Sequence, residues 1–148
     1  MIAVEPSKAN LAVLARNIRL NRRGNVRIVP AAVSDVSGMG CFHQEIGGAY
    51  TGQLAESGDS VNIITIDELA ERFQVPDVIK IDIEGAEEKA LMGARKVLEM
   101  GHPVLYIAVH SRQIAANVIS ILSSYNYSVR SLNQSDMKDE LVAIKIAK

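Results

Sequence analysis

Apolar positions alternate along the chain between short β-branched runs and helical stripes. Ile2, Ala3 and Val4 form the end of a strand, halted by Glu5 and Pro6. Ser7 can cap the helix that follows, in which Leu11, Leu14 and Ile18 share one face. Gly24 offers a helix stop, and Val26 to Val29 read as the next strand. Strand, helix, strand with short links predicts a parallel pair joined by a right-handed crossover. From Pro30 to Asn62 the pattern loosens. Ser34, Asp35, Ser37, Gly38 and Gly40 mark turns around a hairpin with Met39 to Phe42 as one arm. Gln44 to Ser60 carries Gly47, Gly48, Gly52 and Gly58 without periodicity, the mark of a lid, a binding loop or disorder. Val61 to Ile64 suit a short strand. Thr65 and Glu68 fit a capping box for a helix through Phe73, ending before Pro76.

The most informative stretch is Val78 to Ala94, VIKIDIEGAEEKALMGA. Val78, Ile79, Ile81 and Ile83 predict a buried strand; beyond Gly85, the spacing of Ala90, Leu91, Ala94 and Leu98 predicts a helix. Val104 to Val109 repeats the strand pattern, ending at His110. Ile114, Val118, Ile121, Leu122 and Tyr125 then form a helical stripe. Tyr127 to Leu132 and Leu141 to Ile146 read as an antiparallel hairpin. The order β-α-β, insertion, α-β-α-β-α-β-β predicts one α/β domain over residues 1–148. Its sheet should be mostly parallel, covered on both faces, with the antiparallel hairpin at its end.

Composition narrows the function classes. Apolar residues make up 48% and charged residues 22%, a globular balance, and the formal charge of −1 gives no drive toward nucleic acid or anionic membrane. Five arginines between Arg16 and Arg27 suit a solvated helix end and loop. Cys41 is the single cysteine, which points to a reducing, cytoplasmic setting. No apolar run approaches the roughly 20 residues of a membrane span.

Candidate chemistry gathers where the central strand meets its helix. In an open α/β sheet, ligands bind beyond the carboxyl ends of strands. Asp82, Glu84 and Glu87 crowd that junction. Glu87 and Glu88 also suit the helix dipole, whereas Asp82 is unusual within a strand. Strand alternation would set Lys80, Asp82 and Glu84 on one face, where Lys80 and Asp82 can pair structurally. A positioned carboxylate there can remove a proton, and His110, ending the next strand, is a second acid–base candidate. Asp82, Glu84 and Glu87 also suit Mg²⁺ in a hydrolase or phosphotransferase, but no GxxxxGK[ST] accompanies them. His43 and His102 read as surface residues.

Five segments resemble the FkbM family of S-adenosylmethionine-dependent methyltransferases: VEPSKANLAVLARNIRLN, VRIVPAAVSDVSG, TIDEL, VIKIDIEGAEEKALMGA and the strand ending in His110. The resemblance implies a Rossmann-like methyltransferase sandwich and transfer of a methyl group to a hydroxyl of a small molecule or glycan. It implies that Glu5 receives the cofactor's ribose hydroxyls. Pro30, Ala31 and Ala32 would flank the adenine, although Pro-Ala-Ala is also simply a turn. Asp82 would lie at the sulfonium end, with Asp82, Glu84 and His110 catalytic and Glu87 holding Glu84 or the helix start. Ala108 stands where many members carry a Glu, which weakens a Glu–His pairing. The match starts at the family's second strand, so the first strand and its glycine-rich turn are expected to be missing, leaving two sheet edges free. A non-catalytic scaffold forming homodimers through those edges is the alternative expectation.

Overall fold

A computed structural model of the chain describes residues 1–44, 52–132 and 139–146. β1 (Ile2–Val4) pairs in parallel with β2 (Arg27–Val29) across α1 (Lys8–Leu20). Ser7, itself buried, caps α1 by accepting from the Asn10 N–H at 3.3 Å. Leu11, Leu14 and Ile18 face inward as the spacing predicts, yet only half-buried, because α1 lies beside a two-stranded sheet. The helix ends at Asn21 and Arg22, the latter left-handed at φ 51°, rather than at Gly24.

Pro30 interrupts the pairing, since it has no N–H to give a ladder. β3 (Ala31–Val33) follows at once, so Ala31 and Ala32 are strand and not turn. β3 pairs in parallel with β6 (Asp59–Ile64), and β6 continues antiparallel to β4 (Gly38–Gln44) and then β5 (Gly52–Ala55). The insertion therefore holds strand in its second half. Residues 45–51, the rest of the stretch read as a lid, a binding loop or disorder, lie outside the described residues.

α2 (Ile66–Arg72) is capped by Thr65, which accepts from the Glu68 N–H at 3.1 Å. Glu68 does not reach back to Thr65 directly. It accepts from the Ser37 hydroxyl, whose oxygen accepts from the Thr65 N–H at 3.2 Å, so a serine relays the capping box.

The main core lies in the second half. β7 (Val78–Ile81) pairs in parallel with β8 (Val104–Val109); β10 (Asp139–Lys145) runs antiparallel to β8 and to the outer β9 (Tyr127–Ser131). α3 (Glu87–Met92), a π-helical turn at Val97–Gly101 and α4 (Arg112–Ser124) complete this half. Ala90, Leu91, Ala94 and Leu98 are wholly buried beside Leu105, Val118, Leu122 and Ala143. β7 itself is only partly buried, with Val78 58% exposed and Ile81 inside, unlike the buried run expected.

The expected single helix from Glu87 onward is broken at Gly93. A Cβ there would run into the Ser34 carbonyl oxygen, so β3's end presses directly on the helix backbone. Gly93 O accepts from the Asp67 N–H at 2.9 Å, and the Asp67 carboxylate accepts from Lys96 N–H (3.1 Å) and Val97 N–H (3.0 Å). Asp67 thus caps the second helical piece from another helix.

The fold is α/β with mixed sheets, but not one mostly parallel sheet. The described residues form three: β1-β2, β3-β6-β4-β5 and β7-β8-β10-β9. Among those residues β1 pairs only with β2 and β7 only with β8, so each has one unpaired edge.

Candidate functional site

β7 stops at Ile81, and a reversed turn replaces the strand expected through Ile83. Glu84 (φ 50°) and Gly85 (φ 96°) are both left-handed. Gly85 accepts this freely; Glu84 costs about 1–2 kcal/mol there. The turn, and not strand alternation, brings Glu84 to the same end of the molecule as Asp82. Lys80 Nζ and Asp82 Oδ2 pair at 2.8 Å, both well exposed, so the pair contributes at most about 1 kcal/mol.

Past the turn, the first residue of α3 points inward. Glu87 is fully buried, and a buried carboxylate needs donors. Its Oε1 accepts from the Gly85 N–H at 3.1 Å and meets His110 Nδ1 at 2.7 Å. With the carboxylate ionised, Nδ1 carries the proton and donates it, and in the neutral imidazole Nε2 then holds a lone pair. His110 Nε2 lies 3.5 Å from Glu84 Oε2 and 3.8 Å from Asp82 Oδ1. Glu87 therefore orients His110 and, through the Gly85 N–H, holds the turn at the helix start, while among the described residues it neither holds Glu84 nor joins Asp82 and Glu84 as an oxygen-ligand set. A glutamate does meet the histidine despite Ala108, supplied from a helix 23 residues earlier in sequence. His43 and His102 are exposed, as expected.

A cleft of about 270 Å³ opens beside this cluster. Glu5 and Pro6 border it at the end of β1, Ala31 and Ala32 along β3, and Asp82, Glu84 and Ala86 at the turn after β7. Phe42, Gly52 and Leu54 of the β4–β5 hairpin close another side. Glu5 is held in place by accepting from the Ser7 N–H at 2.8 Å. Of the residues singled out from sequence, Glu5, Ala31, Ala32, Asp82 and Glu84 share the cleft, and His110 adjoins it through the two carboxylates. Pro30 does not. It is exposed and borders a neighbouring space of about 410 Å³ with Ser37, Asn62, Glu68 and Arg72. Asp35 stays in the turn after β3, where the Ser34 hydroxyl (2.9 Å) holds its carboxyl below the usual range. Phe42 and Leu54 were not legible as cleft residues; the hairpin pattern around Phe42 was the available signal.

Residues 1–129 match the methyltransferase FkbM domain. No curated protein matches significantly. Among solved structures, a methyltransferase FkbM from Methylobacillus flagellatus KT is 20% identical with a TM-score of 0.74; the match covers 97% of this chain and 36% of that one. A precorrin-6y C5,15-methyltransferase from Geobacter metallireducens GS-15 is 14% identical with a TM-score of 0.60, covering 97% of this chain and 67% of that one. At these identities the structural likeness speaks for the fold. This chain spans little more than a third of the first protein's length.

Proposed function

Because the chain belongs to the FkbM methyltransferase domain family, we propose that it is an S-adenosylmethionine-dependent methyltransferase domain acting on a hydroxyl of a small molecule or glycan. The supporting observation is the single cleft shared by Glu5, Ala31, Ala32, Asp82 and Glu84. Glu5 offers a carboxylate for a diol, Ala31 and Ala32 small apolar side chains for a flat ring, and Asp82 and Glu84 two carboxylates for a positive charge, and all five border the same cleft. S-Adenosylmethionine, when bound, supplies an electrophilic methyl group.

The chain's own residues have defined tasks in this reading. Glu5, with Oε1 engaged by the Ser7 N–H, keeps acceptor capacity for ribose hydroxyls. Ala31 and Ala32 leave room for the adenine, and Phe42 and Leu54 wall it from water. Asp82 and Glu84 favour the cationic end and orient the acceptor hydroxyl. His110 Nε2, its other nitrogen committed to Glu87, accepts the hydroxyl proton as the oxygen becomes methylated.

Calorimetric titration with S-adenosylhomocysteine tests the cofactor assignment. Micromolar binding that Glu5→Ala weakens at least tenfold is expected; a folded chain that binds none overturns it. The unpaired edges of β1 and β7 favour one further reading, a homodimer that joins sheets across copies. Sedimentation velocity at high concentration decides it, and a strictly monomeric chain refutes it.

A further inference from the structure

We infer that Asp82, Glu84 and His110 form a binding site for one divalent cation, and that Glu87 is the residue that orients its imidazole ligand. The inference rests on the proposed function only for what the ion would do, not for where it binds. Each of the three side chains offers one ligand atom, and these atoms lie within 4.8 Å of one another. With His110 Nε2 at 3.5 Å from Glu84 Oε2 and 3.8 Å from Asp82 Oδ1, one point lies about 2.4 Å or less from all three atoms. That is coordination distance for a divalent ion. The separations are too long for hydrogen bonds to Nε2.

The independent observation is Glu87. It is fully buried, its Oε1 meets His110 Nδ1 at 2.7 Å, and its Oε2 has no hydrogen-bond partner among the described residues. A buried carboxylate on one imidazole nitrogen fixes the tautomer and turns the other nitrogen's lone pair outward, as behind metal-bound histidines. In the neutral imidazole Nε2 stands 3.5 Å and 3.8 Å from two carboxylate oxygens, so three acceptors converge. A cation supplies what all three lack. Asp82 Oδ2 is taken by Lys80, which leaves Oδ1 for the ion. Asp82 is exposed and Glu84 partly so, and both border the cleft, so further coordination positions open toward a bound acceptor.

Two carboxylate oxygens and one imidazole suit Mn²⁺, Mg²⁺ or Zn²⁺. The ion would bind the acceptor hydroxyl and lower its pKa, so that the proton leaves to solvent. With the ion bound, His110 Nε2 serves as its ligand; the base role given to it above belongs to the ion-free chain.

The test is titration of the full chain with Mn²⁺ alone, read by electron paramagnetic resonance and calorimetry. One ion per chain is expected. Asp82→Asn, at an exposed position that leaves packing intact, should abolish binding or weaken it more than tenfold. Glu87→Gln should weaken it by about 10–100-fold while Asp82 and Glu84 remain. Failure of the folded wild-type chain to bind Mn²⁺ and, in the same titration, Zn²⁺ overturns the site, as does binding indifferent to Asp82→Asn. Binding of S-adenosylhomocysteine, measured separately on the same chain, reports on the methyltransferase reading, so either can fail while the other stands.

Discussion

The Glu87–His110 contact makes a prediction about stability that needs no ligand. Glu87→Ala removes the acceptor for two donors, His110 Nδ1–H and the Gly85 N–H. Each buried donor left without a partner costs about 1–3 kcal/mol, which sums to roughly 2–6. Against this, the variant no longer desolvates a carboxylate whose second oxygen has no partner among the described residues, which returns part of the loss. A net destabilisation of about 2–4 kcal/mol is expected. Glu87→Gln keeps a carbonyl oxygen able to accept both hydrogen bonds and should cost about 1 kcal/mol. Urea unfolding of the three proteins gives the values from midpoints at constant slope. A nitrogen-detected NMR spectrum of His110 supplies the local readout: protonation at Nδ1 in the wild type, and a mixture of tautomers in Glu87→Ala. Equal stability of Glu87→Ala and wild type, within 0.5 kcal/mol, would refute the reasoning. So would Glu87→Gln being as damaging as Glu87→Ala.

Three further outcomes follow from the fold. Ser37→Ala breaks the relay between Glu68 and the Thr65 N–H and should destabilise the chain by about 1 kcal/mol in thermal unfolding, with loss of the hydroxyl that holds Glu68 below the usual carboxylate range. Leu98→Ala, at a wholly buried position, should cost about 3–5 kcal/mol by denaturant titration. Burial pushes the Tyr127 phenol up from 10.0 to about 12. Between those values the unfolded chain gives up its proton before the folded one, so stability is present below pH 10 and is lost as pH rises toward 12. Comparing wild type with Tyr127→Phe in alkaline unfolding curves should show this loss only with the tyrosine, on the order of 1–2 kcal/mol after solvent screening.

Strand and helix identities were legible wherever one period dominated. The stripes of α1 and α4, the apolar run of β8 and the final hairpin formed the elements their spacing predicts. Errors arose where a contact from elsewhere in the chain overrode the local pattern. Gly93 sits inside an uninterrupted helical stripe, yet the helix breaks there, where the Ser34 carbonyl packs against its backbone and Asp67 bonds the residues on either side. Ala31 and Ala32 look like a turn after a proline, yet β6 offers them a partner ladder. The three carboxylates near Gly85 were readable as a cluster. Their division of labour was not, since Glu84's left-handed backbone turns it toward the cluster while Glu87 enters the helix and faces inward.

The joint at Gly93 has a consequence for the shape of the cleft. The cleft takes one wall from β3 and the hairpin, and another from the turn between β7 and α3. Those walls belong to different sheets, and at Gly93 the end of β3, the start of α2 and the break after α3 touch within a few atoms. The joint ties those walls together at a point that does not itself line the cleft. Asp67 does not line the cleft, yet by holding the Gly93 carbonyl and the Lys96 and Val97 N–H groups it helps set how the two walls meet.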